Sequence, residues 1–359
     1  MKVRGAAVVY RLYDVGFEIH LDRAVEALAA GGPARLRPVR GEAQAIQIAN
    51  PPVTITLGSE PIDAPGACGP AEVVARIFDF GVVSLRLSIP ADEMPWADFV
   101  EFGNAIDVGI DLSPIFDRHL SALMTRMGPA VERPDIKPVT EDYIVFRITG
   151  DNFPPDAWDD ANIVPLLLNE RRPLSETARR ELLPHRFSYY TDDLTILTWD
   201  NALIIEPAVD DSDVQYILEF ANAQLLELRV YDAILDAQLP EVYDRVAAAR
   251  ARAGLLRGRY AAILADLQAL VADSTELVER VESALKVTDD VYLARIYTAA
   301  LDIFRGSDWR AAIDRKLAII RETYLMLNAE AQATRSEAIE LLIVVLITAE
   351  ILLAVFLHR

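Results

Sequence analysis

The chain has 359 residues and a formal net charge of −20. That charge repels nucleic-acid phosphates and disfavours direct nucleic-acid binding. With 52% hydrophobic and 25% charged residues the chain is globular, and its length allows two domains with a sizeable core. Cys68 is the single cysteine, so neither an intramolecular disulfide nor a cysteine-based zinc site is available.

The first residues do not read as a signal peptide. The apolar run Ala6 to Tyr10 is broken at once by Arg11 and Asp14. That run reads instead as a short strand, and Phe17 to Leu21 as another. Asp22 is placed to cap a helix through Ala30, stopped by Gly31-Gly32-Pro33. Ala45 to Ile48 and Val53 to Leu57 are strand-like, split by Pro51-Pro52. Val73 to Phe80 and Val82 to Ile89 are rich in β-branched and aromatic residues. Gly81 between them reads as a bulge or as a close-packing point within one long strand.

Pro95 to Met127 is helical, interrupted near Pro114, and Tyr143 to Ile148 is a further strand. Two short helices are expected at Ala161 to Leu168 and Ser175 to Leu183. Leu194 to Trp199 and Ala202 to Glu206 then form a hairpin around Asp200-Asn201, a pair that tolerates the positive φ of a primed turn. Pro207 ends the sheet domain, read as residues 1–207.

After Pro207 no strand pattern remains. Asp210-Asp211-Ser212-Asp213 opens a long helix with apolar positions at Val214, Ile217, Leu218, Ala221, Leu225 and Leu228. Acidic residues at a helix N-terminus complement the dipole, and the spacing of a calcium loop is absent. Tyr260, Leu264, Leu267, Val271, Ser274, Val278, Val281 and Leu285 keep a strict 4-3 alternation, as do Ile313, Leu317, Ile320, Tyr324, Leu327, Ala331, Thr334, Ala338 and Leu341. Such seams mark a coiled coil or a helical hairpin, within one chain or between copies. Residues 208–335 are therefore read as a long-helix domain.

The fold class expected is α+β: a mixed sheet domain, long helical hairpins and one C-terminal transmembrane helix. The span runs from Ala338 to Leu357, 20 residues of which fourteen are Ile, Leu, Val or Phe. That is about the length that crosses ~30 Å of hydrocarbon. Glu350 is the one polar group expected at depth, neutral there and either bonded to a neighbouring span or drawn toward the interface. Only His358 and Arg359 follow, which predicts a tail anchor with the bulk of the chain in the cytoplasm.

Catalytic constellations are sparse. His20, His119, His185 and His358 fall in no zinc-protease pattern, and no nucleophile elbow or glycine-rich phosphate loop occurs. No catalytic residue, metal ligand or cofactor is assigned, and cofactor-binding residues stay unknown.

Three blocks, in order, carry a resemblance: Ile77-Phe78-Asp79-Phe80-Gly81-Val82-Val83, the hairpin Asp193 to Pro207, and Leu218 to Leu239. The end fits too, with Arg335-Ser336-Glu337-Ala338-Ile339-Glu340 before an apolar run containing Glu350. Together they resemble the required-for-meiotic-nuclear-division family, in a bacterial member. The resemblance implies self-association into large homo-oligomers at an inner membrane, with no catalytic residues to carry over. The function expected is thus a non-enzymatic, membrane-tethered scaffold with the membrane, its own copies and an unidentified protein as partners. The alternatives are an enzymatic or small-molecule-binding N-terminal domain, and an ion-handling oligomer built around Glu350.

Overall fold

The run of small, β-branched and aromatic residues in KVRGAAVVYRLYD makes a strand that can be buried on both faces, and this strand lies at the middle of the fold. In the computed structural model, which describes residues 2–29, 36–37, 50–149, 158, 160–207, 212–251, 265, 269, 272 and 290–357, it is β1, Lys2–Asp14. After it come β2 (Gly16–Ile19), helix α1 (Leu21–Ala29), β3 (Leu36–Arg37), β4 (Val53–Glu60), β5 (Ala71–Ile77) and β6 (Val82–Pro95). Helix α2 (Trp96–Asn104) widens into a π turn, Ala105–Gly109, before α3 (Ser113–Met127), β7 (Val131–Pro134) and β8 (Thr140–Thr149). Then follow α4 (Asp160–Leu167), α5 (Glu176–Leu182), β9 (His185–Phe187), β10 (Leu194–Leu197) and β11 (Asn201–Glu206). The long helices are α6 (Asp213–Ala251), α7 (Val291–Ile303) and α8 (Gly306–Leu357). This is a mixed α+β chain with a large N-terminal sheet domain and helices after it.

Nine strands form one sheet in the order β3-β4-β5-β6-β1-β8-β11-β10-β9, while β2 and β7 pair separately. Among the described strands only β8 and β11 run parallel. β1 pairs with β6 on one side and β8 on the other, so Tyr10 lies beside both Arg86 and Tyr143. One sheet face carries Ala7, Val9, Val73, Leu85, Leu87, Ile144 and Phe146 into the main core, with Phe99, Phe102, Phe116 and Leu120 of α2 and α3. The other face carries Val8, Tyr10, Leu12, Arg76, Ser84 and Tyr143.

Two compact units divide the chain. The first holds Met1–Val230 and Val281–Asp308, and the second Tyr231–Arg280 and Trp309–Arg359. The first 18 residues of α6 thus belong with the sheet. In the second unit Lys316 binds Asp232 and Asp236 at 2.7 and 2.6 Å, and Leu235, Ile313, Leu317 and Ile320 are buried. The 4-3 seam of α8 is buried over these turns. The seam read between Tyr260 and Leu285, the strand at Ala45 to Ile48 and the stop at Gly31-Gly32-Pro33 lie outside the described residues.

Several sequence expectations change. Gly81 sits neither in a bulge nor within one strand: it belongs to the turn between β5 and β6. Its φ is +96°, and a Cβ there would come within 1.9 Å of the Gly16 carbonyl oxygen. The Asp200-Asn201 turn is not primed, because neither residue has positive φ. Asn201 instead holds the turn by its side chain. Its Nδ2 donates to the Leu167 carbonyl at 3.0 Å, and its Oδ1 accepts from the Thr198 hydroxyl at 2.9 Å.

The transmembrane expectation fails. Among the described residues no helix is long and apolar enough to cross a membrane. Ala338 to Leu357 is the last part of the 52-residue α8 and not a separate element. Glu340 and Glu350 leave only the nine residues Leu341 to Ala349 uncharged between them, against the ~20 a span needs. A carboxylate near the centre of a span costs about 2.5–3.5 kcal/mol. The span ends at Ala338 and Leu357, the tail anchor and the inner-membrane location that rested on them do not hold.

Replacing Asn201 by either Gly or Val is expected to cost about 1–3 kcal/mol, since both leave the Leu167 carbonyl without the amide donor. Urea unfolding of the variants measures this. An unchanged midpoint for Asn201→Gly would show that backbone conformation, and not the amide, sets the turn.

Candidate functional site

Polar side chains collect where α6 covers the second sheet face. In strand β5 every second residue points to that face, which places Arg76 beside Ser84 of β6. On the helix, Ser212, Gln215, Glu219 and Asn222 recur at spacings of three and four, so they share one stripe. All four are buried. Ser212 caps the helix by accepting from the Gln215 backbone N–H at 3.3 Å. One turn on, Glu219 accepts a hydrogen bond from Arg76 Nη1, and both residues of the pair are buried.

The Arg76 guanidinium also lies 4.6 Å from the centre of the Tyr216 ring and donates from Nε to Thr54 Oγ1 at 3.3 Å. Gln215 Nε2 donates to the Tyr10 hydroxyl at 3.4 Å. Phe220 packs on Phe78, Phe80 and Tyr297, and the Tyr297 hydroxyl donates to Gln224 Oε1. Arg229 closes the row by donating to Glu141 Oε1.

Burial, reinforced by Glu219, pushes the Tyr10 phenol up to about 12. Burial raises Tyr216 and Tyr143 as well. The three phenols stay protonated at neutral pH and serve as hydrogen-bonding struts. Burial raises Glu141 against the opposing pull of Arg229.

Three smaller groupings lie elsewhere in the same unit. At the end of β4, Glu60 accepts from Arg118 at 2.7 Å and from His119 Nε2 at 2.8 Å, and these bonds lower its pKa. At the π turn, Asp107 is raised by burial and by Asp200, while the buried Asn104 has no hydrogen-bond partner for either amide atom. At the end of β1, burial outweighs the nearby Lys137 and raises the Asp14 carboxyl from 3.8 to about 7.

The sequence-named site residue lies far from any of this chemistry in the chain. Glu350 is an exposed residue of α8, in the second unit. His20 and His185 stand on separate elements from His119, and His358 lies outside the described residues. The stripe itself went unread in the sequence, although Gln215, Glu219 and Asn222 interrupt an apolar helix at helical spacing. Arg76 likewise interrupts an apolar strand.

Two predictions follow from these energetics. Glu219→Ala strands a buried guanidinium and is expected to cost about 3–5 kcal/mol, whereas Arg76→Met with Glu219→Leu recovers most of it. Chemical unfolding of the single and double variants decides this; equal losses in both would contradict the pairing. For Asp14 the folded pKa is raised, so its contribution is complete below about pH 4 and is lost as pH rises through about 7. Asp14→Asn is expected to flatten the decline in stability between about pH 4 and 7, and to be more stable than the parent by about 2–4 kcal/mol at pH 8. Parallel pH profiles for the two proteins would refute it.

Comparison with known proteins adds a family. A protein of Methanocaldococcus jannaschii, described as uncharacterized protein MJ0711, is 28% identical over 203 residues, covering 56% of this chain and 62% of that relative. The match thus spans less than two thirds of the relative's length. No solved structure matches the chain. The family model described as the N-terminal domain of uncharacterized protein MJ0711 matches residues 4–212, from β1 to the cap of α6, and with more than half of the chain matched this protein belongs to that family.

Proposed function

We propose that this chain is a non-enzymatic assembly protein that self-associates and presents its sheet domain to a protein partner. The observation that carries the reading is the reach of α8. The helix has 52 residues, about 78 Å at 1.5 Å per residue. Its buried positions include Ile313, Leu317, Ile320 and Thr323. From Leu325 onward every described side chain is exposed. A long helix whose described side chains are exposed from Leu325 on suits a mount or a junction between molecules, because helical stability comes mainly from tertiary contact.

The sheet domain supports the same reading. Its buried arginines and tyrosines are spent on holding α6, and its charge disfavours nucleic acid as the partner. The order of the blocks at residues 77–83, 193–207 and 218–239 supports a link to the required-for-meiotic-nuclear-division family, in a bacterial member. That link favours homo-oligomers and offers no catalytic residues.

Light scattering on the purified full-length chain tests the proposal. A mass that is a multiple of 39.8 kDa at micromolar concentration is expected. A monomer throughout that range would remove self-association from the reading.

A further inference from the structure

Three connections of the sheet domain meet at the end of β1. Asp14-Val15-Gly16 leads from β1 into β2, Phe78 to Gly81 turns from β5 into β6, and Asp135 to Lys137 follow β7. The Val15 N–H donates to the Gly81 carbonyl at 2.9 Å, and the Ile19 N–H to the Asp79 carbonyl at 2.8 Å. The Asp135 and Lys137 N–H groups donate to the Val15 and Asp14 carbonyls, each at 3.0 Å. These bonds attach the β2–β7 ribbon, which lies outside the nine-stranded sheet. A two-stranded ribbon is marginal by itself, so its closure depends on this junction.

The junction encloses an acid. Asp14 is only 4% exposed. Its carboxylate accepts from the Gly16 N–H, and its neighbour on β6 is the uncharged Val82. The connection after β7 brings Lys137 and Asp135 close to it. Lys137 Nζ is bound to Asp135 Oδ2 at 2.6 Å, so two acids share one lysine. Around the same turns Asp79 accepts from Asn50 Nδ2 at 3.0 Å, and Glu18 lies 3.7 Å from His20. The Arg133 guanidinium lies 4.7 Å from the centre of the Phe17 ring and 3.8 Å from Glu132.

The turns touch backbone to backbone. A Cβ on Gly81 would fall 1.9 Å from the Gly16 carbonyl oxygen, and one on Gly16 would fall 2.5 Å from Val131 Cγ1. Hydrating a charged carboxylate here requires the turns to part. We propose that Asp14 is a proton-controlled latch: with its carboxyl protonated the β2–β7 ribbon stays closed on the β5–β6 turn, and with it charged the ribbon opens and bares the buried Val15, Ile19 and Val131. β1 keeps its pairing with β6 and β8, so the opening is local, as it is for small and weakly attached elements.

Hydrogen exchange on the full-length chain, corrected for its intrinsic pH dependence, tests the latch. The amides of Val15, Ile19, Asp135 and Lys137 are expected to lose about a hundredfold of their protection between pH 5 and 8, because opening returns Asp14 to an ordinary carboxylate. At pH 8 they are expected to exchange at least about tenfold faster than the amides of Val8 and Val145 in the sheet. In Asp14→Asn, which cannot ionise, the loss disappears. Lys137→Met removes the lysine that favours the charged form and carries the loss to higher pH. Junction amides as slow as those of Val8 and Val145 at pH 8 would place the opening in global unfolding and overturn the latch. A parent-like pH profile in Asp14→Asn overturns it as well. If that variant does not fold, a Lys137→Met profile that coincides with the parent's does the same.

Discussion

A carboxylate on the first long helix is buried against a sheet because an arginine stands beneath it. Glu219 and Arg76 are each nearly inaccessible, and neither charge would survive there without the other. Their pairing sets the rotation of α6 on the sheet: with Glu219 over Arg76, the stripe brings Gln215 to Tyr10, and Phe220 meets Phe78 and Phe80. A helix turned by one residue would present Phe220 to the guanidinium and strand both charges. Apolar packing alone tolerates such slips far better, since it has no direction. The ion pair is thus better understood as a device for register than as a source of net stability.

The same face explains why the sheet domain needs the residues beyond Pro207. Without α6, Tyr10, Arg76, Tyr143 and Val8 would lie in water beside an apolar sheet. The segment Asp213–Val230 closes that face, and α7 adds Tyr297 against Phe220. The family match ends at residue 212, on the cap of this helix. The packing unit therefore extends past the matched region, because a sheet with two apolar faces must be covered twice.

An ion-pair triad stands in the second unit. Lys316 binds two aspartates one helical turn apart, Asp232 and Asp236, and so fixes the pairing of α6 with α8 near the start of the latter. Further along α8, exposed apolar residues outnumber charged ones around Glu350. Length and periodicity make that stretch a competent helix.

Much of the fold is legible in the residue order. The apolar run Ala6 to Tyr10, the β-branched runs at Val73 and Val82, and the 4-3 spacing of Ile313, Leu317 and Ile320 mark strands and helices, because those patterns are local properties of the chain. Ser212-Asp213 marks the start of α6 for the same reason. What the tertiary structure alone decides is where charge is tolerated. Glu219 looks like one more solvated acid in a chain of net charge −20, and only the strand register that places Arg76 below it makes it an interior residue. Asn201 looks like a residue chosen for positive φ, and only α4 brings the Leu167 carbonyl that gives its amide a purpose. The apolar run ending at Leu357 looks like a membrane span when read alone; within α8 it is the last part of a helix that begins in charged sequence at Gly306 and carries Glu350. Sequence period reports a residue's neighbours along the chain, whereas the worth of a buried polar group depends on a partner up to 205 positions away.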